Sequence, residues 1–399
     1  MDTTGPLDIL YVCSLFRPAD FGGSRYPWEV VRQLAERGHR VRIVTPRPSG
    51  PLPGSLRATF VHYPVSRRTP LATFLTNAVF SRLAIERTLR HREADIVVLS
   101  SYEVAYGFLG VLQRRRPPSV FIYHSRFHSD AVERLQRSSG LAGAAGAVLS
   151  RFVQHVERII FRSVDALVAV SPYSRSEIEV RLGRPDKRIR VIPTGVDTEY
   201  FRPGNRAVAR RALGLRDDDL ILLTVGRLAP VKRYDRALRA LAFLRRTESK
   251  AVLLIVGSGP EEARLKALVD ELGMHGAVRF EGFLDGDALR LHYQAADVQL
   301  CTSDFENWSL SLLEGLASGL PVISVPCGSV PDLLRLIDDG LVADGLGADR
   351  LAELLVRRLA TPDRMRAVGS RGRQVAEAEF DWEKVVNRLE ACFRDTLNR

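Results

Sequence analysis

The feature that most constrains this chain is an alternation that runs through it twice. In the first half, Asp8–Cys13, Val41–Val44, Ile96–Leu99, Val120–Tyr123, Ala166–Val170 and Arg190–Ile192 read as strands, with helix-like stretches between them. One such stretch, Trp28–Arg37, carries apolar residues at helical spacing and ends at Gly38. The pattern restarts with Leu220–Val225, Ala251–Val256, Val278–Phe280, Val298–Leu300 and Val322–Ser324. These runs are continuously apolar, as strands buried on both faces must be. Strands of that kind alternating with helices imply a parallel sheet covered on both sides, an α/β fold. At 399 residues the chain has room for two such domains, since a domain takes roughly 100–200 residues. Pro193–Pro203, with Gly195 between its prolines, interrupts the pattern and marks the boundary. The spacing predicts an N-terminal domain over 1–195, a C-terminal domain over 196–380, and a last amphipathic helix over 381–399 that packs back on the first domain.

Composition removes several alternatives. The four cysteines are scattered with no C-x-x-C pair, and the eight histidines show no ligand spacing, so neither a disulfide framework nor a structural zinc site is indicated. The N-terminal residues lack a basic segment followed by a long apolar run, and no apolar stretch approaches the ~20 residues that span a bilayer. A cytoplasmic location is expected, with contact at the inner membrane face open. The net charge of +11 fits nucleic acid, an anionic membrane or phosphorylated substrates. No zinc-finger or RNP sequence supports the first. The run Arg114-Arg115-Arg116 reads as a solvated helix end. The segment Leu141–Arg162, apolar with Arg151, Arg158 and Arg162, fits either a lipid surface or, more simply, packing against the first sheet.

Open parallel sheets bind ligands at the carboxyl ends of their strands. The strand Leu220–Val225 runs into Gly226-Arg227-Leu228-Ala229-Pro230-Val231-Lys232, where two cations on one loop can converge on an anion. Ala251–Val256 runs into Gly257-Ser258-Gly259-Pro260, a weak signal alone. Val298–Leu300 leads to Glu306, then to a helix capped by Ser309, with Glu314 in its second turn and Gly319 as its stop. A helix start can receive a phosphate, and flanking carboxylates can accept bonds from sugar hydroxyls.

Taken together, these segments resemble the retaining glycosyltransferases of family 4. Glu306-x7-Glu314 matches that family's signature, and Gly226-Arg227-Leu228 with Lys232 matches its diphosphate loop. Val256–Pro260, Val191–Asp197 and Gly319–Ile323 match further segments. The resemblance implies the GT-B fold, in which two Rossmann-like domains with parallel sheets face a central cleft, and closure about Pro193–Pro203. It implies transfer of a hexose from a nucleoside-diphosphate sugar, uridine first and guanosine second, to an acceptor hydroxyl. Arg227 and Lys232 would neutralise the departing diphosphate, aided by amides near Ser309 and Leu310. Glu314 would hold the ribose and Glu306 face the donor sugar. Backbone around Arg279–Phe283, with Gly226, Gly257 and Ser258, would contact the nucleotide. Gly22 and Gly23 would lie beside the diphosphate, and His124 would touch the sugar from the first domain. His128 reads as an acceptor-side or structural residue.

The chain departs from the family pattern in three places. Asn307-Trp308-Ser309 stands where Gly-Phe-Gly is frequent, Gly328-Ser329-Val330-Pro331-Asp332 where Gly-Gly-x-Pro-Glu is, and Ser125-Arg126 follows His124 where an acid is commoner. No cofactor or metal is expected. Asp285-Gly286-Asp287 and Asp217-Asp218-Asp219 fit a D-x-D pattern, but Asp285 or Asp287 reads better as a helix cap. The acceptor stays open among lipids, glycans, cyclitols and natural products. The rival readings are a sugar-nucleotide epimerase on the same fold and a non-catalytic basic protein on membrane or nucleic acid.

Overall fold

The computed structural model describes residues 5–16, 22–48, 56–66, 68–111, 116–125 and 140–398. The chain forms two compact units, Met1–Pro193 with Val385–Arg399, and Thr194–Lys384.

The first unit carries a seven-stranded parallel sheet in the order β3-β2-β1-β4-β5-β6-β7. Its strands are β1 Asp8–Val12, β2 Arg40–Pro46, β3 Ala58–Tyr63, β4 Ile96–Leu99, β5 Ser119–Tyr123, β6 Ala166–Ala169 and β7 Ile189–Val191. Its helices are α1 Gly22–Glu36, α2 Pro70–His91, α3 Tyr102–Leu109, α4 Gly140–Ser163 and α5 Pro172–Leu182. The sheet is one strand wider than the apolar runs imply. β3 lies at the edge and is mostly half-exposed, so it lacks the continuous apolar pattern of its neighbours. The helix read over Trp28–Arg37 begins earlier, at Gly22, and tolerates Pro27 in its second turn. Of the arginine run, Arg114 and Arg115 lie outside the described residues. Arg116 donates to the Ser163 carbonyl and lies 4.6 Å over the Phe108 ring, so it is a packed residue rather than a solvated one.

The second unit carries five parallel strands in the order β10-β9-β8-β11-β12. They are β8 Leu220–Val225, β9 Ala251–Val256, β10 Val278–Gly282, β11 Val298–Cys301 and β12 Val322–Ser324. Around them lie α6 Arg206–Ala212, α7 Tyr234–Leu244, α8 Glu262–Glu271, α9 Gly286–Ala295, α10 Leu310–Ala317, α11 Val330–Arg335, α12 Ala348–Leu359 and α13 Pro362–Val375. One apolar core, from Ile221 through Leu254 and Leu313 to Leu355, holds the unit together. A final helix, α14 Trp382–Leu397, starts in this unit and ends in the first. Trp382 covers Gly195 so closely that a Cβ there would fall 2.4 Å from its ring. Further along, Asn387 accepts from Arg37, and Arg394 donates to the Gly5 carbonyl.

Candidate functional site

The second sheet changes direction between β8 and β11. The chain adds β9 and β10 on one side of β8, then returns to add β11 and β12 on the other. Loops leaving adjacent strands at such a switch point diverge and leave a crevice at the carboxyl edge. The loops that leave β8 and β11 carry Arg227 with Lys232, and Glu306 with Ser309.

The β8 loop owes its path to glycine. Gly226 and Gly257 have φ of +148° and +139°, a region other residues rarely adopt. The Gly226 amide donates to Val256, the Gly257 amide to Gly282, and the Leu228 amide to Ser258. A Cβ on Gly257 would sit 1.9 Å from the Gly226 carbonyl oxygen, and one on Gly259 2.4 Å from that of Leu228. These two glycines therefore let one loop lie on another. That explains them without a ligand, as the sequence reading allowed for this pair.

After a single 3-10 turn, Pro230–Lys232, the chain enters α7 through Arg233, the one described non-glycine residue with positive φ, at +49°. Arg233 and Arg236 are occupied by Asp235 and Asp304, and Arg236 also donates to the Thr302 carbonyl. The loops from β8 and β11 are thus braced together, and the Asp304 amide also donates to the Val231 carbonyl. Lys232 and Arg227 then differ. Lys232 Nζ donates to Glu306 Oε1 at 2.5 Å, and Ser303 Oγ donates to the same oxygen at 2.7 Å. Burial pulls the Lys232 pKa down, but the Glu306 carboxylate outweighs it and leaves the ammonium above its ordinary value. Lys232 is charged throughout the physiological range. Arg227 is exposed, on the tip of the loop.

The backbone of Glu306 is held as firmly as its carboxylate. Its carbonyl accepts from the Ser329 amide, and a Cβ on Gly328 (φ +50°) would approach that oxygen to 1.9 Å. The close approach falls on Gly328, so a serine at 329 is accommodated. Its side chain is buried against the same carbonyl. Beneath the pair, Cys301 and Cys327 bring their sulfurs within 3.8 Å although 26 residues separate them in sequence.

Ser309 occupies the N-cap of α10, but its hydroxyl meets Ser311 Oγ at 3.1 Å rather than a helix amide. The cap bond expected from the sequence is absent. Leu310 opens the helix, and the amides of its first turn lack intrahelical partners, as at every helix start. Glu314 is buried, and Tyr293 donates to its Oε2 at 2.9 Å. Tyr293 was not foreseen. It sits on the buried side of α9, where only the apolar pattern shows in sequence. Trp308 turns its ring edge-on to Phe380 at 5.5 Å, and its buried Nε1 finds no partner among the described residues. The hydroxyl of Tyr234, buried beside Gly226, is likewise unpartnered there.

Other candidates are placed differently. The Arg279 side chain is turned away, donating to the Leu213 carbonyl and pairing with Glu281, so only the backbone of its strand reaches the glycine loop. Phe283 is half exposed. Asp285 holds the N-cap of α9 without a side-chain cap bond, while Asp287 accepts from Tyr200 and pairs with Arg290. Among the described residues no group of three or more His, Cys, Asp or Glu side chains is placed to hold a metal ion.

The first unit has its own switch point between β1 and β4. Gly22 and Gly23 open α1, but the loop before them, 17–21, lies outside the described residues, as do Arg126 and His128. His124 follows β5. Its Nε2 lies 3.0 Å from Ser100 Oγ, and its ring meets Tyr26 edge-on at 4.6 Å. Burial lowers its pKa to about 4, so the imidazole is neutral near pH 7.

A groove of about 1010 Å³ opens at the opposite, amino edge of the second sheet, beside Leu220, Asp297 and Pro321. Two of its arginines are spent on structure, Arg210 on Asp297 and three carbonyls and Arg373 on Glu377 and three carbonyls, while the exposed Arg206 and Arg366 pair with Asp297 and Asp363. The carboxyl-edge crevice joins a lysine and two glutamates to a helix start, a combination this groove lacks.

Residues 22–200 match the model for Glycosyltransferase Family 4, and residues 205–375 that for Glycosyl transferases group 1. The D-inositol 3-phosphate glycosyltransferase of Thermobispora bispora is 31% identical over 95% of this chain and 91% of its own. The chain belongs to glycosyltransferase family 4. It is an enzyme of that class, with the GT-B fold. The corresponding Acidothermus cellulolyticus protein is 38% identical over 56% of this chain, and the match spans about half of that relative, 51%. A GDP-mannose-dependent alpha-(1-6)-phosphatidylinositol monomannoside mannosyltransferase of Mycobacterium tuberculosis is 32% identical over 62% of this chain and 68% of its own. Among solved structures, sucrose-phosphate synthase from Thermosynechococcus elongatus superposes with a TM-score of 0.82, at 24% identity over 97% of this chain and 98% of that one. This glycosyltransferase has, among its described residues, no helix long and apolar enough to cross a membrane.

Proposed function

We propose that this enzyme transfers a hexose from a nucleoside-diphosphate sugar to a hydroxyl of a cyclitol-based acceptor, with retention at the anomeric carbon. The observation that carries the reading is the Lys232–Glu306 pair at the switch point of the second sheet, beside the start of α10. Breaking the bond between C1 and the phosphate oxygen moves an electron pair onto the diphosphate. Lys232, Arg227 and the first-turn amides of α10 are the groups that stabilise that charge as it grows. Lys232 and the helix amides are held in place before the reaction, so they need little reorganisation during it. Glu306, anchored at both its carbonyl and its carboxylate, faces the sugar, and Glu314 binds the ribose. Neutral His124 contacts a sugar hydroxyl. The acceptor proton leaves with the departing phosphate oxygen on the same face, which yields retention without a covalent intermediate. The cyclitol is carried from the relatives, which are named for inositol 3-phosphate and a phosphatidylinositol mannoside.

The test is a panel of labelled UDP- and GDP-hexoses offered with inositol phosphate and phosphatidylinositol, read by product anomer and linkage. Lys232→Ala and Glu306→Gln are compared with the unaltered enzyme; unchanged turnover in both sinks the assignment. A saturating donor at about 100 times its dissociation constant stabilises the enzyme by ~2.7 kcal/mol.

A further inference from the structure

The first unit leaves a layer of helices with an unusual outer face. The links from β3 to β4, β4 to β5, β5 to β6 and β6 to β7 all step the same way across a parallel sheet, so right-handed crossovers put α2, α3, α4 and α5 on one side of it. They pack in that order, α3 between α2 and α4. Gly107 draws α3 tightly against α2, for a Cβ there would sit 2.3 Å from the Ala78 carbonyl. The inner faces fill the core through Phe74, Ile85, Phe108, Val156 and Ile160. The segment Leu141–Arg162 therefore does pack internally, but on one face only.

The outer faces are apolar where a water-facing helix would be polar. On α2, Leu75, Val79 and Leu83 recur every fourth residue, each exposed by half or more. On α4, Val148 and Phe152 do the same, 68% and 52% exposed, and Tyr106 lies on α3 between them. The exposed positions nearby include Arg87 and Arg90 on α2 and Arg151, Arg158 and Arg162 on α4, with His91, His155 and Ser163 among them. The acids of these two helices, Glu86 and Glu157, are buried, Glu86 against Arg82 and, at 3.6 Å, the exposed Arg90, and Glu157 against Arg181. Among the described residues neither outer face carries an exposed acid. Both helices join strands of a parallel sheet and so run in the same direction. Their apolar stretches therefore run alongside one another with α3 between them, Arg151 lying within the stretch and Arg87, Arg90, Arg158 and Arg162 further along the helices.

We infer that this face docks on an anionic lipid bilayer. Exposed apolar side chains with guanidinium groups beside them on the same helices let the former enter the hydrocarbon boundary while the latter meet lipid phosphates. Contiguous apolar surface on a soluble face marks an interaction site, and the acid-free arginine rows select negative charge. The surface is separate from the Lys232–Glu306 site and does not rest on the donor assignment.

The full chain is incubated with vesicles of phosphatidylcholine alone, or of phosphatidylcholine and phosphatidylglycerol in equal parts, and sedimented at low and high salt. Binding is expected to the anionic vesicles and to weaken with salt. Leu75→Ser with Leu83→Ser and Phe152→Ser should lower the partition coefficient by about tenfold or more, and Arg87→Glu with Arg151→Glu should abolish the preference for phosphatidylglycerol. Both variants should keep the wild-type melting temperature, because the replaced side chains are exposed. No binding of the wild type to anionic vesicles, or equal binding by wild type and both variants, overturns the inference. So does a wild type that elutes as a dimer and a serine variant that elutes as a monomer, which would make a second copy of the chain the occupant.

Discussion

The two sheets are built on one plan, yet their carboxyl edges hold opposite chemistry. At the edge of the second sheet a lysine and a glutamate are charged, paired and half-buried, on loops locked by glycine. At the edge of the first, His124 is neutral, held by a serine and an aromatic edge. A charged site can stabilise a departing anion. A neutral imidazole adds no net charge and acts through its hydrogen bonds. The same topology thus supplies a place for a ligand in both units, while the side chains at the switch point decide what that place does.

The contrast can be broken by substitution. Lys232→Ala should have the largest effect, lowering kcat/KM by about 10²–10³ as expected for loss of one preorganised charge-stabilising group, measured with a labelled donor. If His124→Ala costs as much and Lys232→Ala little, the roles given to the two edges are reversed. Gly257→Ala should come next. The positive φ alone costs roughly 1–3 kcal/mol, and the contact with the Gly226 carbonyl adds to it, so thermal denaturation should show a clear loss of stability.

A smaller effect concerns pH. The folded state holds His124 at a pKa of about 4, below the ordinary 6.5 of a solvated histidine. Between those values the unfolded chain binds a proton that the folded chain refuses, so stability present above pH 6.5 is lost as pH falls toward 4. Melting temperatures measured from pH 7 to pH 5 should fall more in the wild type than in His124→Gln. The smallest effect is expected at Ser309. Its hydroxyl does not cap α10, so Ser309→Ala should cost less than the usual ~1 kcal/mol for a lost N-cap, as urea denaturation would show.

Much of this was legible in the chain before its structure. Buried parallel strands announce themselves as apolar runs, and the central strands do so; the edge strands β7 and β10, with Arg190, Arg279 and Glu281, were legible from their place in the alternation. β3 escapes because an edge strand faces water and follows no such rule. The loops that carry Lys232 and Glu306 were readable from their position after β8 and β11. Their pairing was not, because 74 residues separate them and only the strand order brings them together. The same holds for Cys301 with Cys327 and for Tyr293 with Glu314. Glycine is where local reading misleads most. A glycine that makes room for a ligand and one that makes room for a neighbouring carbonyl look alike in sequence, and Gly257 and Gly328 are of the second kind.

The double anchoring of Glu306 has a further consequence. With its main chain clamped against Gly328 and Ser329, this residue has only its own three side-chain torsions with which to find a partner. The site therefore measures length. An aspartate in its place, one methylene shorter, has no slack in the backbone to borrow from, so the same negative charge would fall short of the ammonium.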